Sequence, residues 1–209
     1  MLDALQITRL HDEATDHWHS PEPWPAPTSL TAPGKPSTEG LSETILGNHR
    51  ANFDLWHEED KAREPDASDS IIAGVKHKID ILNQRRNDLV EVMDRILLDA
   101  AGEQNVEAPL HSETPGLIVD RLSILALKIF HTREETHRES ATETHRARNR
   151  DRLALLLEQR NDLAGCLDAL WEDILHRRRR FKLYRQMKMY NDPELNPAIY
   201  NHAVTGRPG

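Results

Sequence analysis

Residues 114–131 read TPGLIVDRLSILALKIFH, the longest apolar run in a 209-residue chain of which 30% is charged. Thr114 is placed to cap a helix, with Pro115 at the first helical position, where a missing amide hydrogen costs nothing. Yet the run carries Asp120, Arg121, Ser123, Lys128 and His131. On a wheel with Asp120 at zero, His131 falls at about 20°, Lys128 at about 80°, Arg121 at about 100° and Ser123 at about −60°. The polar groups therefore share one side. Leu117, Ile124 and Leu127 lie there too, so that side reads as partly buried rather than water-facing.

Outward from this stretch the same helical period recurs. Toward the N-terminus, residues 70–99 carry a stripe of Ile72, Val75, Ile79, Leu82, Arg86, Leu89, Met93 and Ile96 in steps of three and four. Before it, residues 41–63 form a helix with Leu41, Ile45, Phe53 and Trp56 on its apolar face; the turn EPDASD follows, with Asp69 or Ser70 as the next cap. Toward the C-terminus, the central helix continues through the charged run to about residue 148. A fourth helix spans 149 to the Arg177 cluster, with Leu153, Leu156, Arg160, Leu163, Leu167, Leu170 and Ile174 as its stripe. Arg86-Asn87-Asp88-Leu89 and Arg160-Asn161-Asp162-Leu163 repeat at an offset of 74, and the flanking apolar positions follow. The fold class this predicts is all-α: an antiparallel helical bundle of four or more long helices, built from two similar helix-rich halves.

Three segments divide the chain. Residues 1–40 hold a short helix with Leu2, Leu5 and Leu10 on one side, then an extended proline-rich tether at 21–36 that Trp18 and Trp24 can pin to the bundle. Residues 41–200 are the bundle and 201–209 a tail. From Arg177 to Lys188 there are seven basic residues and no acidic ones, interleaved with Phe181, Tyr184 and Met187; this reads as a helix C-terminus whose cations match the dipole, or as a phosphate- or RNA-contacting strip. Beyond it, LNPAIY can dock back through Leu195, Ile199 and Tyr200.

A net charge of −8 argues against a dedicated nucleic-acid binder. No run reaches the roughly 18 apolar residues of a membrane span. The single cysteine, Cys166, allows no intrachain disulfide, and the N-terminus lacks the apolar core of a signal peptide, so a cytoplasmic protein is expected.

Burying an unpaired charge costs several kcal/mol. Arg86, Arg121, Lys128 and Arg160 are the interior cations, against Asp120 and Glu59 as anions, a surplus that a small anionic ligand would complete. Trp56 supplies a stacking surface beside it and Asn87 an amide, while His57 and His131 are the candidate acid or base. Against this stands a closed network, in which Arg86 and Arg160 pair with Asp88, Asp120 or Asp162. Metal readings compete as well: a di-iron site on Asp54/His57 and Glu134/His137, or a magnesium-dependent pyrophosphohydrolase cluster at Glu58, Glu59, Glu91 and Asp94. The residues alone leave open whether the chain is an enzyme, which cofactor it takes and whether it forms a homo-oligomer.

LWHEEDKAR from Leu55, LNQRRNDL from Leu82, ETPGLIVDRLSILALKIFH from Glu113 and RRFKLYRQMKMYNDPELNP from Arg179 occur in the order found in a bacterial family filed as domain of unknown function 4254. From about residue 41 to 200 the chain resembles that family. Its members often lie near glycosyltransferase genes. The resemblance thus implies a place in sugar or glycoconjugate biosynthesis, with a phosphorylated sugar, nucleotide or nucleotide sugar as ligand, or a role as non-enzymatic partner of a glycosyltransferase.

Overall fold

In the computed structural model, residues 2–21 and 40–185 are described. They form five α-helices: α1 Ala4–Trp18, α2 Leu41–Lys61, α3 Asp69–Ala101, α4 Pro115–His137 and α5 Glu143–Leu175. Side-chain oxygens start four of them: Asp3 accepts from Gln6 N, Ser68 from Ile71 N, Thr114 from Leu117 N and Thr142 from His145 N. The cap of α3 is thus Ser68, one position before the expected Asp69 or Ser70. Thr142 is the larger correction. It ends the expected continuous helix at His137, and α5 begins at Glu143 rather than at 149.

Helices α2 to α5 make two antiparallel hairpins, α2–α3 and α4–α5. The 74-residue offset holds at three of the four pairs of ends, Leu41 and Pro115, Asp69 and Glu143, Ala101 and Leu175, while α4 runs two residues past the match of Lys61. The repeat also has a third member. Helix α1 matches α2 at an offset of 38, and the pairing is spatial: His11 lies on His49 at 4.5 Å between ring centroids, and His19 on His57 at 5.4 Å. Helices α1, α2 and α4 therefore run parallel and in register around one axis, with α3 laid across α2 and α4 and α5 across α4 and α1.

Layers of three equivalent residues fill the axis. Ile7, Ile45 and Val119 form one; Leu10, Asn48 and Leu122 the next; then His11, His49 and Ser123, and Ala14, Asn52 and Ala126, all buried. This is why α4 carries polar residues without a polar face: Asp120 and Ser123 point inward with Leu127, while Arg121 and Lys128 are exposed. Leu2, Ala4, Ile7 and Leu10 belong to the main core beside Leu97, Leu122, Leu167 and Trp171, so the packed body starts well before Leu41. Leu5, expected on the inner side of α1, is 57% exposed, because Ile7 takes the inward station.

After α5 the chain leaves the helical path at Arg177 (φ 58°), so the basic strip is not a helix end. Its described part, to Arg185, runs extended: His111 N donates to Arg180 O at 2.8 Å, Arg180 N to Pro109 O at 3.2 Å, and the Phe181 side chain is buried. No helix among the described residues is long and apolar enough to cross a membrane. The proline-rich stretch from Glu22 on, and the docking expected of Leu195, Ile199 and Tyr200, lie outside the described residues.

Candidate metal centre

Below the centre lies a buried polar network that fixes the register of the three parallel helices. Asp120 Oδ1 accepts from Asn48 Nδ2 and Asn52 Nδ2, both at 3.0 Å, and from Arg86 Nε at 2.8 Å; Oδ2 accepts from the second Arg86 nitrogen at 2.6 Å. Asn52 Nδ2 also donates to Ser123 Oγ, which meets His49 Nδ1 at 2.7 Å. His49 Nε2 reaches the His11 carbonyl and Thr15 Oγ1, so Nε2 carries the proton and Ser123 is the donor to Nδ1. Burial lowers the His49 pKa to about 3, and burial, then the nearby His49 and Arg160, lower that of His11 well below the ordinary value. Both rings are neutral at pH 7.

One level further toward the helix C-termini, each of the three axial helices brings an aromatic residue followed by histidine: Trp18-His19 at the end of α1, and Trp56-His57 and Phe130-His131 within about the last two turns of α2 and α4. One ring nitrogen from each of His19, His57 and His131 lies within 4.8 Å of the other two. His19 Nδ1 meets the Thr15 carbonyl and His57 Nδ1 the Phe53 carbonyl, both at 2.8 Å, while His131 Nδ1 meets Glu134 Oε2 at 3.0 Å. Carbonyl and carboxylate oxygens only accept, so each Nδ1 carries a proton and, in a neutral ring, the lone pair lies on Nε2. Nε2 of His131 is buried without a hydrogen-bond partner among the described residues. Burial, outweighing Glu134, lowers the His131 pKa and favours the neutral ring.

Aromatic neighbours fix the ring planes. Trp56 stacks on His131 at 4.7 Å and 11°, and Phe130 on His19 at 4.2 Å and 16°. Three imidazoles with their Nδ1 nitrogens tied to acceptors make the donor set of a three-histidine site. Four-coordinate zinc, with bonds of 2.0–2.1 Å, would bring the nitrogens to roughly 3.3 Å apart, so a bound ion draws the rings inward.

The expected site residues divide into separate places. Trp56, His57 and His131 meet here. Arg86 and Asp120 are paired in the network beneath. Arg160 pairs with Asp12 of α1 at 2.8 Å, not with Asp162. Arg121 pairs with Glu113 at 2.8 Å and, with Lys128, lines a groove of about 770 Å³ between α4 and α5 that also holds Gln159, Asp162 and Cys166. Asn87 is half-buried on α3. Glu59 pairs with Arg63 rather than with an interior cation.

The alternative metal sets are dispersed. Asp54 pairs with Arg50, and His137 Nδ1 bonds the Arg133 carbonyl of its own helix. Glu58 pairs with Lys61, and Asp94 is buried at the start of α4. What sequence reasoning missed is His19. The signal was present in the tripeptides HWH, LWH and IFH at 17–19, 55–57 and 129–131, because the last two are 74 residues apart, the offset already seen between Arg86 and Arg160.

Fold and site together define an all-α protein with three parallel axial helices, two outer helices and a histidine from each axial helix at one end. The chain belongs to the family described as "Protein of unknown function (DUF4254)", which matches residues 42–183. His57 and His131 fall inside that span and His19 outside it. No curated protein and no solved structure matches the chain.

Proposed function

We propose that the protein binds a divalent transition-metal ion, of the zinc type, through Nε2 of His19, His57 and His131, and uses its open coordination position on a small anionic ligand. The observation that carries this is the convergence of three ring nitrogens within 4.8 Å while each Nδ1 is held by an acceptor. Neutral imidazole suits zinc, copper, nickel and iron rather than magnesium. An ion held by three histidines keeps its fourth position free for water or substrate, where it acts as a Lewis acid and lowers the pKa of bound water. It also supplies the positive charge the arginines do not: Arg86, Arg121 and Arg160 all have carboxylate partners. A cytoplasmic location fits a chain with one unpaired cysteine.

The test is metal content and affinity. The purified protein is expected to take up one zinc or cobalt ion per chain, the cobalt form showing the visible absorption of a four-coordinate site. His19→Ala, His57→Ala and His131→Ala should each weaken uptake by about 100-fold, and Glu134→Gln by about tenfold, with the helical circular dichroism retained. Uptake unchanged in all three histidine variants would refute the reading.

A further inference from the structure

The groove beside the proposed centre arises because two equivalent clamps are out of step by one helical turn. Arg86 of α3 and Arg160 of α5 are matched by the 74-residue offset. Arg160 closes on Asp12 of α1, whose equivalent on α4, 112 residues on, is Ile124; Arg86 instead closes on Asp120, one turn nearer the start of α4. The space that the Arg160–Asp12 pair spans in one half is therefore left open in the other. It forms a groove of about 430 Å³ among α2, α3 and α4, with an apolar floor that includes Leu55, Ile124 and Leu127. That volume is in the range of small-molecule sites. One end is the Arg86–Asp120 pair. The other is Trp56, which stacks on His131 and so joins the groove to the histidine cluster.

The lining is polar but balanced. Arg63 is paired with Glu59 at 3.0 Å and lies 3.7 Å from Asp60; Arg86 is committed to Asp120 through Nε and one terminal nitrogen. Asn83 makes no side-chain hydrogen bond among the described residues. An aromatic face, a free amide that both donates and accepts, and carboxylates beside guanidinium groups match a ring with apolar C–H faces and hydroxyls at its rim. Among the described residues the groove holds no surplus cation, so the charge of a strongly anionic body would fall to the proposed ion beside it.

We infer that this groove binds a phosphorylated sugar or cyclic polyol, its ring against Trp56 and Asn83 and its phosphate directed to the metal centre. The inference rests on the metal reading above, and the two are separable, because Asn83 touches no proposed ligand. The experiment is calorimetric titration of the zinc-loaded protein with a hexose phosphate, an inositol monophosphate, a nucleoside monophosphate and inorganic phosphate, with zinc content measured in every sample. A hexose or inositol phosphate should bind about tenfold or more tighter than inorganic phosphate. Asn83→Leu and Trp56→Leu should erase that advantage while the Asn83 variant retains its zinc. Zinc retained with no preference over inorganic phosphate, or a preference untouched by both substitutions, overturns the groove assignment but leaves the metal reading standing. Tighter binding of the nucleoside monophosphate overturns the sugar or polyol assignment. Absence of zinc uptake overturns both.

Discussion

Helices α4 and α1 stand in equivalent places, one beside α3 and the other beside α5, yet each answers its outer arginine differently. On α4 the acid is Asp120, 5% exposed in its side chain and wrapped by Asn48, Asn52 and Arg86. On α1 it is Asp12, 36% exposed, and among the described residues its hydrogen bonds come from Arg160 alone. The comparison teaches that a repeat can conserve the cation while the anion moves by one turn, and that the move decides which half is closed and which keeps a groove. It also predicts unequal energetics. Asp120→Ala leaves a half-buried guanidinium and two buried amides without their acceptor and should cost about 3–5 kcal/mol in urea unfolding. Asp12→Ala strands the Arg160 guanidinium, 14% exposed, but removes a half-solvated acid and leaves no buried amide without its acceptor, so it should cost less, about 1–2 kcal/mol. Equal losses would show that the two clamps are energetically alike and would break the comparison.

The fold was legible because it is written in apolar period and caps. Thr114-Pro115, the stripes of α3 and α5 and their common offset are local signals, and each describes a helix that exists. What was not legible was the station of each charge. A wheel for α4 puts Asp120 and Lys128 on one side, but only knowledge of which helices surround α4 tells that Asp120 faces α2 and α3 while Lys128 faces the groove beside α5. His19 was hidden for a related reason. It lies at the C-terminal cap of a helix set apart by the proline-rich segment, so only its tripeptide HWH, set against LWH and IFH, hinted that α1 shares an axis with α2 and α4.

The axial layer of His11, His49 and Ser123 sharpens the same comparison, because α1 and α2 place a titratable ring where α4 places a hydroxyl. Both histidines have folded pKa values below the unfolded 6.5, so the unfolded chain binds more protons below that pH and stability is lost on acidification. Asp94 works in the opposite sense: burial raises its pKa to about 6 against hydrogen bonds from Thr114 and Gly116, so its contribution is present below about 3.8 and lost as pH rises through about 6. His131, its pKa also lowered by burial, adds to the histidines' side, so three groups outweigh one. Unfolding free energy should fall by at least about 1.4 kcal/mol per pH unit between roughly pH 6 and 4.5, and Asp94→Asn should steepen that fall. His11→Ser, which gives α1 the hydroxyl of α4, should flatten it. A wild-type profile level across this range would show that the histidine layer is not held neutral.

Ala4, Ser42 and Gly116 occupy one equivalent station at the start of the three axial helices, and only the last has no room for a side chain. A Cβ on Gly116 would sit 2.6 Å from Asp94 Oδ1 and 3.0 Å from the Val90 carbonyl. The reason is a cap supplied from outside the helix. Asp94 of α3 accepts from Gly116 N at 2.7 Å and from the Thr114 hydroxyl, which brings a carboxylate to the positive end of α4. Its repeat equivalent, Asp168 of α5, accepts from Ala4 N at 2.9 Å at the start of α1, where a Cβ is already present. Overpacking costs about 1–3 kcal/mol, and alanine recovers about 0.5–1 of it through helix propensity, so Gly116→Ala should lose roughly 1 kcal/mol. The loss should be larger at pH 8, where Asp94 is charged and bound most closely to the helix end, than at pH 5, where a protonated carboxyl can turn aside. Gly116→Ala made in the Asp94→Ala background should cost nothing or stabilise, since the atom in the way is gone. A loss that persists there would assign the constraint to the Val90 carbonyl instead, and would mean that α4 and α1 approach their outer helices at different depths.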